Sequence, residues 1–322
     1  DGSAKPTDMG CVFQIDPCPT VIRGQISGRP ASRLANRQPP IRNRPSKMAH
    51  DVIRILSDLH YGDRGSGIRS LPALAPLFEG ATSLVLNGDT IDTRSGPHPA
   101  TTAALRAEIL DFFAHSTPPT TIITGNHDPD LSREHHLDLR GGQVFVTHGD
   151  VIFDDLVPWG QDASFARREI AAQLSALPAD ERDQLDRRLA VYRRVAASIP
   201  QRHQSERNTW KYAASYVADT VWPPGRVLRI LRAWRRAPGL TAALTERYRP
   251  RARFAVIGHL HHPGFWRRPN GVTVLNTGSF GPHFGGAVVD VSPDRVTLRR
   301  ISPRGGEFHL RQTVAEFALA PA

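Results

Sequence analysis

Asp58-Leu59-His60, Gly88-Asp89, Gly125-Asn126-His127-Asp128, His148-Gly149-Asp150 and Gly258-His259-Leu260-His261 follow one another along this chain. Each contains Asp, Asn or His, the oxygen and nitrogen donors that first-row divalent metal ions accept. Gathered in one place, such donors suit hydrolysis of a phosphoester, which needs a nucleophile at neutral pH and neutralised phosphoryl oxygens. A pair of ions about 3.5–4 Å apart provides both by acidifying a shared water and clamping the phosphate.

Donors scattered over two hundred residues need a scaffold to bring them together. Each motif follows a short apolar run that reads as a buried strand: Val52–Leu56, Ser83–Asn87, Thr120–Thr124, Val144–Thr147 and Phe254–Ile257. Polar residues just past strand ends collect at one edge of a sheet, where α/β proteins place their sites. His259 and His261 are two apart, so an extended strand end would turn them the same way.

The ordered set resembles the calcineurin-like metallophosphoesterase family, from roughly Ile53 to Asp290 with one long interruption. One Asp-x-His or Gly-Asp carries little information; five in order after strands carry much. The resemblance implies an α/β fold, a four-layer α-β-β-α sandwich with a helical cap insertion. It implies two divalent ions, Mn²⁺ first and Fe or Zn²⁺ next, with Asp89 as the shared carboxylate. Asp58, His60 and His261 would complete one site with Asp89, and Asn126, His148 and His259 the other. It gives His127 the role of protonating the leaving oxygen, which suits an imidazole whose ordinary pKa lies near working pH. Asp128 is expected to orient that imidazole, and Asp92 to hydrogen-bond a metal ligand from behind. Asn276-Thr277-Gly278-Ser279 resembles the family's turn after the last motif and reads as structural. His98, His115, His135, His136, His203 and His283 read as surface residues.

Composition sets outer limits. Of the 322 residues 39% are hydrophobic, enough for a globular core. No run of about 18 apolar residues exists to span a membrane, and no apolar signal core opens the chain. The net charge of +10 suggests an anionic partner or a solvated arginine-rich surface. Cys11 and Cys18 are the only cysteines, so the motif region has neither a disulfide framework nor a thiolate metal site.

Residues 1–48 are rich in Pro, Arg, Gly and Ser without periodicity and are expected to be a disordered leader, with Met48 a natural start for the domain beyond it. The core is expected over 49–150 and 254–322. Ile68–Phe78 and Thr101–His115 read as helices, the second with Leu105, Ile109, Phe112 and Phe113 on one face. Val272–Leu275, Ala287–Val291 and Val296–Ile301 read as closely spaced antiparallel strands. Between the fourth and fifth motifs lie about 110 residues, far beyond an ordinary connection. This insertion, 151–253, reads as helices over Ser164–Leu177, Ala179–Ser198, Ser205–Val221, Arg226–Arg235 and Leu240–Tyr248.

The continuation of His148-Gly149-Asp150 into Val151-Ile152-Phe153-Asp154-Asp155, and Pro263 after the last motif, are similar to the UDP-2,3-diacylglucosamine diphosphatases. Those enzymes usually carry Arg at the position of His127. That subgroup implies a phosphorylated small-molecule or lipid-linked substrate, and a cytoplasmic protein peripheral at the inner face of the membrane. Val227, Ile230, Leu231 and Trp234 fall on one helical face, with Arg226, Arg229, Arg232, Arg235 and Arg236 opposite, a pattern that suits a membrane surface. Arg247, Arg249, Arg251 and Arg253 keep nucleic acid open as a partner, and with it a nuclease or cyclic-nucleotide phosphodiesterase. A non-catalytic metal-binding scaffold is the reading from another class, and the filled ligand positions weigh against it.

Overall fold

The computed structural model describes residues 51–201, 225–281 and 285–320. The expected leader, the expected helix Ser205–Val221, His203 and His283 lie outside them. The first strand, β1 (Ile53–Leu56), shows how the layers are written into the sequence. Ile53 and Ile55 turn to one side and Arg54 and Leu56 to the other. The strand therefore feeds two cores at once.

In chain order come β2 (Ser83–Asn87), α1 (Pro99–His115), β3 (Thr120–Ile123), β4 (His136–Leu139), β5 (Val144–Thr147), α2 (Ala163–Ala176), α3 (Leu185–Ser198), α4 (Gly225–Tyr248), β6 (Phe254–Ile257), β7 (Gly264–Arg267), β8 (Thr273–Asn276), β9 (Ala287–Val291), β10 (Arg295–Arg304) and β11 (Glu307–Ala318). Six strands form one sheet in the order β11-β10-β9-β1-β2-β3, and five form a second in the order β4-β5-β6-β8-β7. In the first, β1, β2 and β3 run parallel while β9 to β11 are antiparallel. In the second, β5, β6 and β8 run parallel between antiparallel edges.

Ile55, Val85, Val146, Val256 and Leu275 fill the space between the sheets. Outside the first sheet, Ile109 and Phe113 of α1 pack with Leu56, Leu84 and Leu86. Outside the second, Leu189, Tyr192 and Val195 of α3 pack with Phe145, Ala255 and Ile257. Helix, sheet, sheet and helix are thus the four expected layers. The helices of the insertion are the outer layer of the second sheet and share its core, rather than forming only a cap over the site. Leu189 is fully buried there, and its loss to Ala should cost about 2–5 kcal/mol. A buried pair pins β1 against β9: Arg54 Nε and Nη2 donate to Asp290 Oδ1 and Oδ2 at 2.6 and 2.9 Å.

Several expectations need correction. Ile68–Phe78 contains only a 3-10 helix, Leu71–Leu77, because Pro76 removes an N–H and obstructs the preceding turn. Ala179–Ser198 is helical only from Leu185, since the carbonyl of Pro178 takes the N–H groups of Glu181 and Arg182 in turns. Arg226–Arg235 and Leu240–Tyr248 are one helix, α4, running through Pro238. Its buried face of Ala233, Ala237, Thr241, Ala242 and Thr245 continues past the proline. The expected apolar face of this helix divides: Val227 and Leu231 are exposed, while Ile230 and Trp234 are half-buried. The strand at Val272–Leu275 is β8, parallel to β6 in the other sheet, whereas β9 and β10 are antiparallel as expected. No described helix is long and apolar enough to cross a membrane.

Candidate metal centre

The motifs follow the ends of β1, β2, β3, β5 and β6, all parallel strands in their sheets. Here the chain leaves the extended conformation abruptly. Asp58, His60, Asp89, His259 and His261 all have positive φ, between 45° and 65°. Non-glycine residues adopt this region rarely, and such strain concentrates where a structure needs side chains aimed together. His259 and His261 therefore do not share a direction as residues of an extended strand would.

Asp58, His60 and His261 place one donor atom each within 4.8 Å of one another, and so do Asp89, His148 and His259. In the first group His261 Nε2 lies 3.2 Å from both Asp58 Oδ1 and His60 Nε2. In the second, His148 Nε2 lies 3.2 Å from Asp89 Oδ2. The same oxygen is 3.9 Å from His60 Nε2, so Asp89 stands between the two groups. Its other oxygen accepts from the His127 backbone N–H at 2.8 Å.

Hydrogen bonds from behind fix which nitrogen each imidazole offers. His148 Nδ1 donates to the Asn87 carbonyl at 2.9 Å, leaving Nε2 toward Asp89. His259 Nε2 donates to the Leu156 carbonyl at 3.0 Å, which leaves Nδ1 as its lone-pair nitrogen. Asp58 accepts from the His259 N–H and from Ser57 Oγ. Ser57 in turn meets Thr277, and Asn276 ties Gly278 to the Gly258 carbonyl, the structural part expected of that turn.

Glycines allow this closeness. A Cβ on Gly125 would come within 2.2 Å of Asp89 Oδ1, and one on Gly258 within 2.3 Å of Asp58 Oδ2. Each motif is packed against a candidate ligand of another.

The donor set fits divalent ions. Among the described residues, buried Asn126 Oδ1 has no hydrogen-bond partner and buried His148 Nε2 only approaches Asp89 Oδ2 without a well-formed bond, an arrangement a cation would satisfy. Without an ion, the charges compensate one another. Burial would push His148 down, but the Asp89 carboxylate beside it raises it to about 10. Burial would raise Asp89, but His148, His127 and His60 hold it well below the ordinary carboxylate value. His60 and His259 are each pushed down to about 4, first by burial.

The two residues expected to work beside the metals part company. His127 is partly open, and Asp92 Oδ2 lies 3.0 Å from its Nδ1. Asp92 is itself gripped by Arg94, whose Nε and Nη2 donate at 3.0 and 2.7 Å. Asp92 thus faces His127 rather than a metal ligand. Asp128 is fully buried, and its oxygens accept from the backbone N–H groups of Asp89, Thr90 and Gly125. It holds the second and third motifs together and is not the partner of the His127 imidazole, because the backbone occupies both its oxygens. Burial and Asp89 raise its pKa to about 6 against those bonds. Of the supposed surface histidines, His115 is exposed, whereas His98, His135 and His136 are half-buried.

A cavity of about 310 Å³ opens over both groups, lined also by Trp159, Ile230 and Trp234. A second, of about 140 Å³, shares Asn126, His127, Val157 and Arg226 with it and continues past Arg94 toward α2 and α3. Sequence reasoning missed Arg94 and Trp159, and it placed Trp234 on an apolar helix face rather than at this cavity. Arg94 had a signal, an opposite charge two residues after Asp92 beside the Gly-Asp motif. The tryptophans had none, since nothing local ties 159 or 234 to the metal motifs.

Residues 52–263 match the calcineurin-like phosphoesterase family. The chain belongs to that family. It is a metal-dependent phosphoesterase with a mixed α/β fold of two sheets. No curated protein matches the chain. Among solved structures it resembles vacuolar protein sorting 29 of Cryptosporidium parvum, with 13% identity over 84% of this chain and 99% of that one and a TM-score of 0.41. A dimetal phosphatase of Danio rerio has 15% identity over 81% and 98%, with a TM-score of 0.36.

Proposed function

We propose that this phosphoesterase hydrolyses a phosphoester or diphosphate bond at two divalent ions. Asp58, His60 and His261 would hold one ion and Asn126, His148 and His259 the other, with Asp89 shared. The observation that carries this reading is the position of Asp89 Oδ2, 3.2 Å from His148 Nε2 and 3.9 Å from His60 Nε2. Bound ions would neutralise phosphoryl charge and acidify a water. His127 stands at the cavity wall with its Nδ1 occupied between Asp92 Oδ2 and Arg94 Nη2, so its Nε2 is the nitrogen that can protonate the leaving oxygen. Mn²⁺ is the preferred ion in this reading, with Fe or Zn²⁺ as substitutes.

The substrate in this reading is a nucleotide-diphosphate lipid of the UDP-2,3-diacylglucosamine type, met at the inner face of the membrane. Two features support it. Helix α4 of the insertion contributes Ile230 and Trp234 to the cavity. The same helix exposes Val227, Leu228 and Leu231 among the exposed Arg229, Arg232, Arg235 and Arg236. A hydrolysis panel with Mn²⁺ tests this, comparing a UDP-linked lipid, bis-p-nitrophenyl phosphate, cyclic nucleotides and DNA. The UDP-linked lipid should be turned over fastest. Preference for DNA or a cyclic nucleotide would replace the lipid with those substrates, and no hydrolysis of any would reject all of these substrate assignments.

A further inference from the structure

The last metal motif is held from outside by the insertion, at several separate points. Leu156 presents its carbonyl to His259 Nε2 at 3.0 Å. To do so it takes φ of 58°, a rare conformation for a bulky residue and one that persists only where surroundings enforce it. The ring of Trp159 lies 5.7 Å from that of His259. From the other side, Trp234 Nε1 donates to the Leu260 carbonyl at 3.0 Å, between the two candidate ligands of the motif. The Trp234 indole also stacks on His262, with ring centroids 4.5 Å apart and planes 10° apart. The Trp266 ring also lies near His262, with centroids 5.9 Å apart.

The turn thus grasped is itself strained. His259 and His261 have φ of 65° and 54°, and Leu260 folds back so that its N–H reaches the Gly258 carbonyl at 2.7 Å. Left alone, the segment would relax toward negative φ and separate two side chains that must face different groups of donors. The buried small-residue face of α4 packs on the second sheet and gives Trp234 a rigid base.

We infer that Trp234 is a positioning residue of the metal centre: its indole N–H and ring hold the His259-Leu260-His261 turn in its strained form. The insertion is therefore a working part of the centre rather than a lid that could be removed. The consequence for metal affinity rests on the two-ion reading above, whereas the hold on the turn does not.

Two variants separate the roles. Trp234→Phe keeps a ring against His262 and loses the N–H; Trp234→Leu loses both. In metal-free protein, hydrogen exchange of peptides spanning 258–262 should be faster in Trp234→Phe, with exchange in β1 and β2 unchanged. Calorimetric titration should show Mn²⁺ affinity lowered about tenfold, the usual scale for a group that orients a ligand. Excess Mn²⁺ should then restore turnover. Unchanged exchange across 258–262 in folded Trp234→Phe would overturn the inference. So would unchanged Mn²⁺ affinity with a loss of turnover that excess Mn²⁺ does not relieve. If Trp234→Leu does not fold, Trp234→Phe decides alone. If the unsubstituted protein binds no Mn²⁺, the two-ion reading fails and the exchange measurement still decides whether Trp234 holds the turn.

Discussion

Asp92 Oδ2 lies 3.0 Å from His127 Nδ1, and Arg94 grips that carboxylate while its Nη2 also comes within 2.8 Å of the same nitrogen. Burial and Arg94 press the His127 pKa down, and Asp89 and Asp92 carry it above 6.5 all the same. A general acid works only while protonated, so turnover should fall as pH rises through the His127 pKa. Asp92→Asn removes one of the charges that raise it. The alkaline limb of the pH–rate profile should therefore move to lower pH, with metal content unchanged. Asp128→Asn should act differently, loosening the turns after β2 and β3 and lowering metal affinity. A limb that moves with Asp128→Asn and not with Asp92→Asn would reverse these assignments.

Replacing His127 by Ala should lower turnover by about 10²–10⁴-fold, the usual worth of a positioned acid. The loss should shrink for p-nitrophenyl esters, whose leaving group needs little protonation. Equal losses across leaving groups of widely different pKa would instead make His127 a phosphate-binding residue.

The contrast between Asp92 and Asp128 marks the limit of what could be read from sequence. The order of motifs after strands located the candidate donors, because an apolar run ending in Asp or His is a local signal. Seven donor positions were legible that way, and the structure gathers six of them into two groups of donor atoms. Which carboxylate meets His127 depends on how the turns after β2 and β3 cross, a property of no single segment. The missed strands β4, β7 and β11 are edge strands, β4 and β7 without a buried residue and β11 with only two. Paired on one side only, they need no continuous apolar face. Trp234 was read only as part of an apolar helix face, because its partner, Leu260, is 26 residues away and meets it through a backbone carbonyl.

Metal binding should release protons. In the metal-free protein His148 is raised from 6.5 to about 10 by Asp89 against the effect of burial. Its charged pairing therefore stabilises the apo fold fully below about pH 6.5 and is lost as pH rises through about 10. An ion needs the neutral imidazole, so affinity should rise with pH, up to about tenfold per unit for one proton. Calorimetry in buffers of different ionisation enthalpy measures that release. No proton released near pH 7 would mean that His148 is not a ligand. Asp89→Ala should cost more affinity than loss of His60 or His259 alone, because it disturbs both groups.

Gly125 offers a steric test of the same centre. Its added Cβ would meet Asp89 Oδ1 at 2.2 Å and the Asp89 backbone nitrogen at 2.5 Å. Gly125→Ala should displace the shared carboxylate and lower Mn²⁺ affinity at least about tenfold. Gly225→Ala, where nothing among the described residues lies within 4 Å, is the control and should bind as before. Equal affinities in the two variants would show that the turn after β3 can yield without moving Asp89.

The first half of α4 provides the last test. Val227, Leu228 and Leu231 are 38%, 54% and 50% exposed, and Arg229, Arg232 and Arg236 stand exposed along the same turns. Apolar side chains among arginines suit the headgroup region of an anionic bilayer, where buried area and charge attraction add. The protein should co-sediment with anionic vesicles, and less so as salt rises, because attraction between surface charges is screened. Replacing Arg229, Arg232 and Arg236 with Gln should weaken that binding and slow hydrolysis of a lipid-linked substrate. Turnover of bis-p-nitrophenyl phosphate should hardly change, since none of the three lines the metal cavity. If vesicles are ignored and the substitutions abolish DNA binding instead, this face is a nucleic-acid surface and the lipid substrate falls with it.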